Sequence, residues 1–536
     1  MTSMLVGALL AVLPALQAPS DSVPLYTNLG THHHAITTGV PLAQQYFDQG
    51  LRLAYGFNHE EAINSFRTAA RLDPDCAMCY WGIAFALGPN INLPMDSSAN
   101  APALAAVREA RARLAHASEP ERAYIAAIAQ RYSEDPGRSR ASLDTAYANA
   151  MRELRRRYPR DDDAATLFAD AAMNLAPWNY WTADGQPRPG TADLLATLEL
   201  VLRRDPDHPG ACHYYIHAVE ASFQPERAVP CAERLPSLMP GAGHLVHMPA
   251  HVYMRVGRYG DAVHANEHAA HADEAFFERR PAVGFYQFYY VHNLHFLWAA
   301  AQMSGQSEAA VRAAGQVAQT ATPDVIRQAP PFEFVFPTPL LALVRFGKWE
   351  DILREPAPPA DLRYSRGIWH YARGRAFTAN GRLEEAAREA DSLAAILAAT
   401  PADQVLGFNT AANLLGVAVH TLAGEMAAKR GDADNAVREL EEAVRSEDGL
   451  AYDEPPPWYY PVRQSLGAVL LTAGRAPEAE TVYREDLKRN PENGWSLFGL
   501  ARALHAQGKH TAAAQVDARF KKAWQGADVT LVASRF

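Results

Sequence analysis

Between Ala43 and Asp75 the chain reads AQQYFDQGLRLAYGFNHEEAINSFRTAARLDPD, and its small and large apolar residues fall at fixed offsets. With Ala43 as position 1, Gly50 stands at 8, Ala62 at 20, Phe66 at 24, Ala69 at 27 and Pro74 at 32. Small residues at 8 and 20 allow two helices to approach closely. The large residue at 24 fills the next gap, and the proline, which clashes with a continuing helix, ends the second one. The pattern predicts two short helices, A and B, in every 34 residues.

The register recurs. From Tyr460 it places Gly467, Ala479, Tyr483 and Pro491, and from Gly494 it places Ala501, Gly508 and Ala513. Units starting at Gly367 (Gly374, Phe377, Gly381, Ala386) and Val417 (Gly424, Gly431, Ala436, Ala443) follow it too. In the middle of the chain a unit from Pro209 has Ala228, and one from Gly243 has Ala250, Tyr253, Gly257, Ala262 and Ala269. A third, from Val291, has Trp298, Gly305 and Ala310, after an insertion around ERRPAVGFYQFYY. This is the tetratricopeptide (TPR) pattern, and it predicts an all-α superhelix of stacked hairpins, an α-solenoid. Plentiful alanine and few β-branched runs agree. The N-terminal half is less regular. GPNINLPMD breaks the repeat, and APWNYWTADGQPRPGTAD is a long insertion whose tryptophans predict a packed loop. The expected organisation is a signal peptide over 1–20, a His-containing segment over 21–42 and a first array with a His-rich groove over 43–325. A Pro-rich connection over 326–365 and a second array over 366–536 follow.

Composition narrows the picture. At 536 residues, with 48% apolar content, the chain is foldable but too long for one core. A net charge of −10 gives no electrostatic case for nucleic acid or an anionic membrane. Leu5 to Leu16 is an apolar stretch too short to span a bilayer comfortably and fits an export signal, which predicts a secreted or periplasmic protein. Four cysteines suit an oxidising compartment. Cys76 and Cys79 form CAMC, but Tyr80 stands where a haem-attachment site needs histidine, so the pair reads as buried or locally bonded. Cys212 and Cys231 sit on facing helices of one unit, where a disulfide would staple them.

The histidines carry the candidate chemistry. A-helix positions 2, 5, 9 and 12 form one stripe facing the concave groove. His213 and His217 (with Glu220), then His244, His247 and His251, then His292 and His295 occupy such positions on three successive A helices. Imidazoles from neighbouring helices, about 8–10 Å apart at their axes, can converge on one ion. Neutral imidazole selects zinc or copper first, then iron. Glu220 offers a hard ligand or a general base, and Asp170, one helix earlier, a further carboxylate. Such sites take roughly three to five ligands, so either two ions bind or several histidines stand behind the ligands. His32, His33 and His34 form THHH, either an open run or a segment folded back to complete the pocket with His59 nearby. His264, His268 and His271 share a B-helix face and read as solvated. Trp178, Trp181, Tyr214, Tyr286, Tyr289 and Tyr290 flank the site; their default role is packing, and they would wall a small pocket if the Trp loop closes the groove.

The first two-thirds resembles a group of exported bacterial TPR proteins of unassigned activity. The resemblance rests on AQQYFDQGLRLAYGFNHEEA, LDPDCAMCYWGIAFALGPN, HPGACHYYIHAVEAS, PGAGHLVHMPAHVYMRVGRYGDA and YYVHNLHFL. It implies the fold and export, and no reaction. Two functions remain in view: a metal-binding protein, with or without catalysis, and a scaffold of the cell envelope that grips a peptide or protein segment. No nucleophile elbow, phosphate loop or dinucleotide fingerprint offers a third.

Overall fold

The computed structural model describes residues 23–182, 184–280 and 284–536; the expected signal segment lies outside them. Among the described residues there are α-helices throughout and a single two-stranded ladder, Val405–Leu406 with Asn409–Thr410. The protein is an all-α array of TPR-type hairpins. It divides into two compact units: one holds the residues up to Val252 and His268–Tyr290, the other Tyr253–Glu267 and Val291–Phe536. No described helix is long and apolar enough to cross a membrane.

In the first unit, the hairpin Pro41–Tyr55 and His59–Leu72 shows why the repeat residues recur. Proline opens the first helix, and the Asn58 side chain caps the second by accepting the Glu61 N–H. A Cβ at Gly50 would lie 2.6 Å from the Phe66 ring, and one at Gly82, in the next helix Ala77–Ala86, only 2.4 Å from it. Phe66 is thus a wedge between its own hairpin and the following one, and only glycine leaves room on both sides. Replacing Phe66 by leucine should thin the wedge and cost about 1–2 kcal/mol, read as a lower midpoint at unchanged slope in urea unfolding.

The second unit repeats the device. Tyr483 fills the space beside Gly467 and Gly499, where added Cβ atoms would lie 2.4 Å and 2.1 Å from its ring. Leu440 does the same against Gly424, at 2.6 Å. Its hairpins include Arg363–Ala379 with Leu383–Ala399 and Ala411–Lys429 with Ala433–Asp448. Arg463–Thr472 with Ala476–Arg489 and Gly494–Ala506 with His510–Ala523 complete them.

Three features differ from the repeat register. The Pro-rich stretch expected to connect two arrays lies inside the second unit, folded as Pro323–Gln328, the 3-10 turn Pro330–Val335 and Thr338–Arg345, with Ile326, Val335 and Leu341 buried. Its prolines mostly occupy first-turn positions, where a missing N–H costs nothing. The A helix from Gly243 is split into Gly243–His247 and Pro249–Val256, because Pro249 cannot donate across Met248. The helix expected to start at Val291 starts at Tyr286.

Candidate metal centre

Five imidazoles and one carboxylate of the first unit meet in its interior. His213, His217 and Glu220 come from Pro209–Val219 and its C-cap, His244 and His247 from Gly243–His247, and His251 from the helix after the proline break. All six are between 0% and 2% exposed. Ring centroids are 4.9 Å apart for His213–His217 and His213–His244, 5.4 Å for His217–His251 and 4.6 Å for His247–His251.

The hydrogen bonds fix which nitrogens carry protons. His213 Nδ1 lies 2.6 Å from the Tyr55 carbonyl oxygen, which can only accept, so Nδ1 holds the proton and Nε2 offers a lone pair. Glu220 takes His217 Nδ1–H at 2.8 Å on Oε1 and His251 Nδ1–H at 2.5 Å on Oε2. Those two rings therefore also turn their Nε2 lone pairs away from the carboxylate. His217 Nε2 is buried and has no hydrogen-bond partner among the described residues. His213 Nε2 faces His244 Nε2 at 3.1 Å, and His247 Nε2 faces His251 Nε2 at 2.7 Å. One nitrogen each from His213, His217 and His244 lie within 4.8 Å of one another, as do donor atoms of His217, Glu220 and His251.

Electrostatics favour neutral His213 and His217 and an ionised Glu220. Burial, joined by the neighbouring His217, holds His213 well below the usual imidazole range, and burial lowers His217. For Glu220, burial favours protonation, but His251 and His217 outweigh it and hold the carboxyl below its usual range.

Aromatic rings close the cluster. Phe57 stacks on His217 at 6.1 Å and on His244 at 5.5 Å, Trp178 meets His217 edge-on at 5.1 Å, and Tyr289 lies 4.4 Å from His244. Phe57 (φ 58°) and Trp178 (φ 62°) are two of the three described non-glycine residues in the left-handed region. Such backbone costs of order 1–3 kcal/mol and persists where the surroundings impose it. The imidazoles are thus buried, with Phe57 of the turn after Tyr55 and Trp178 of the Trp-rich insertion packed against them.

Of the remaining sequence candidates, His295 and Asp170 share no donor group with these imidazoles among the described residues. His292 and His295 belong to the second unit, where His295 packs on Trp298 and Phe334 and burial pushes its pKa down to about 3. Asp170 is buried among Arg131, Asp144 and Asn174, and shares no histidine-containing donor group among the described residues. Burial, against the Arg131 charge, raises its pKa to about 6. A carboxyl raised on folding stabilises fully below its unfolded pKa and loses that contribution as pH rises through the folded value. Asp170→Asn should therefore flatten a fall of about 2–3 kcal/mol between roughly pH 4 and 6 in urea unfolding of the full chain.

THHH folds back, around an acidic residue the sequence did not single out. Asp163 Oδ1 takes His32 Nε2 at 3.0 Å and the Tyr55 hydroxyl at 2.5 Å, and Oδ2 takes His34 Nδ1 at 2.8 Å. His208 Nε2 lies 3.2 Å from Oδ1. His208 caps its helix by accepting the Ala211 N–H on Nδ1, so its proton sits on Nε2 and points at Asp163. That tautomer has no lone pair for an ion, and the hub is a carboxylate whose Oδ1 faces three donors and whose Oδ2 faces one. Tyr55 joins it to the imidazole cluster, hydroxyl on Asp163 and carbonyl on His213. The one signal in the sequence was His208 before Pro-Gly, at a helix start. His33 turns to Asp48 at 2.8 Å, and His264, His268 and His271 are exposed.

Cys76 and Cys79 are disulfide-bonded. Cys212 and Cys231 are buried thiols with sulfurs 2.8 Å apart, and the contact between them, with burial, raises the Cys212 pKa.

No family model matches the chain, and no curated protein matches it. Among solved structures, the human IFIT1 dimer with m7Gppp-AAAA is 12% identical over 90% of this chain and 90% of its own, with a TM-score of 0.31. Yeast Tom70 is 11% identical over 89% and 90%, with a TM-score of 0.29.

Proposed function

We propose that this TPR protein binds a transition-metal ion in the interior of its first unit, on Nε2 of His213 and His217 together with His244. The observation that carries this is the tautomer pattern. The Tyr55 carbonyl and Glu220 hold protons on Nδ1 of three buried rings, so their Nε2 lone pairs turn inward, that of His213 toward His244 and that of His251 toward His247. Ligating histidines are oriented in this way by acceptors on their far nitrogen.

An all-nitrogen set of neutral imidazoles favours zinc or copper, with iron third. Three protein nitrogens leave a fourth position for water or a substrate atom, the arrangement of metal sites that polarise or hydrolyse a bound molecule. Glu220, with both oxygens engaged by imidazoles, orients ligands and offsets the ion's charge. It is poorly placed to act as the general base that its position in HxxxHxxE suggested. His247 and His251, joined at Nε2, extend the donor set.

Burial argues against a histidine-lined peptide groove, since a partner segment cannot reach rings sealed beneath Phe57 and Trp178. Export is part of the reading: the Leu5–Leu16 stretch and the bonded Cys76–Cys79 pair support it. The deciding experiment is elemental analysis of the purified mature protein after dialysis, repeated on ligand variants. About one zinc, copper or iron per chain supports the proposal, and a metal-free protein that takes up none of the three ends it.

A further inference from the structure

The second unit contains a cavity of about 580 Å³ on the side of Arg363–Ala379, Ala411–Lys429 and Arg463–Thr472. The chain's own segment through Ser534, Arg535 and Phe536 lies against these helices. Ser534 is buried, its hydroxyl bonded to the Gln464 carbonyl at 2.6 Å and 2.7 Å from that of Tyr483. Peptide room is taken by this segment, and what remains beside it is a compact chamber of the size that holds a small molecule.

Its charges are unequal. Glu425 is buried and paired with Arg535 at 2.7 Å and with Arg375 at 3.5 Å. Arg375 is also engaged by the Tyr371 hydroxyl and the Phe536 main-chain oxygen, which hold it toward the chain's own groups. Two cationic groups keep capacity. Lys429 stands exposed at the rim and gives one of three protons to the Ala379 carbonyl, at 2.9 Å. Arg535 Nε is buried without a hydrogen-bond partner among the described residues. The Arg535 side chain lines the cavity and is 24% exposed, so its guanidinium charge can attract an oxyanion there. Trp349, Val469 and Phe536 give the chamber an apolar wall.

We propose that this cavity binds a small organic oxyanion, its phosphate or carboxylate held by Lys429 and Arg535 and its apolar body against Trp349 and Phe536. The site is independent of the metal centre.

The test is calorimetric titration of the full chain with phenyl phosphate and, separately, benzoate, with benzyl alcohol as the uncharged control. At least one oxyanion should bind once per chain, benzyl alcohol should not, and Lys429→Gln should weaken binding about tenfold. Arg535→Gln should weaken it further. Phenyl phosphate alone binding assigns a phosphate ester; benzoate alone assigns a carboxylate. The inference is overturned if neither probe binds by about 10 mM, if benzyl alcohol binds as tightly, or if Lys429→Gln, folded by circular dichroism, keeps full affinity.

Discussion

A variant carrying His213→Ala and His217→Ala should lose its transition metal, from about one ion per chain to less than about a tenth, while keeping its helical circular dichroism. The two rings supply two of the three proposed Nε2 ligands, with their far nitrogens already tied down by the Tyr55 carbonyl and Glu220. Even the partners that orient a metal ligand are worth about 10–100-fold in affinity, so removal of two of the proposed ligands should cost more. His264→Ala with His268→Ala, on the exposed face of the helix Tyr259–Phe277, is the control that should leave metal content unchanged. Equal metal in all three proteins would show that the ion sits elsewhere.

Glu220 should respond differently to two substitutions. Glu220→Ala leaves two buried imidazole N–H groups facing nothing and should cost about 3–5 kcal/mol of stability. Glu220→Gln keeps the volume and one acceptor oxygen but replaces the other with an amide that donates. One of His217 and His251 must then turn its Nδ1 lone pair toward the amide and move its proton to Nε2, where it blocks the ion. We expect the glutamine variant to fold, to unfold at nearly the same urea concentration, and to bind zinc about 10–100-fold more weakly. Unchanged zinc affinity in Glu220→Gln would mean that the carboxylate does not set these tautomers.

Much of this arrangement was legible in the sequence, for a definite reason. Gly50, Phe66, Gly467 and Tyr483 report a backbone approach that only glycine and one large ring can satisfy, so spacing alone located the hairpins. The same register put His213, His217, His244, His247 and His251 on one side of two A helices. Spacing could not supply the covering chain. The sealing rings come from the turn at Phe57 and the insertion at Trp178, whose course depends on tertiary packing. Nor could it supply tautomers, which depend on a main-chain carbonyl, that of Tyr55, distant in sequence from His213. Asp170 was misplaced because adjacency of helices does not say which face a carboxylate takes. Asp163 was missed because an acidic residue in a helix's first turn ordinarily serves the helix. Proline content suggested a boundary near residues 326–365, where prolines at helix starts build rather than break.

The two aromatic residues held at positive φ bear on how an ion would enter and leave. A centre open to solvent trades its occupant at rates set by encounter. One roofed by Phe57 and Trp178 trades only when those backbone segments swing aside. Each holds a backbone conformation that costs of order 1–3 kcal/mol and that the surrounding packing imposes. An ion bound beneath them, as proposed, would therefore exchange more slowly than one at an open surface.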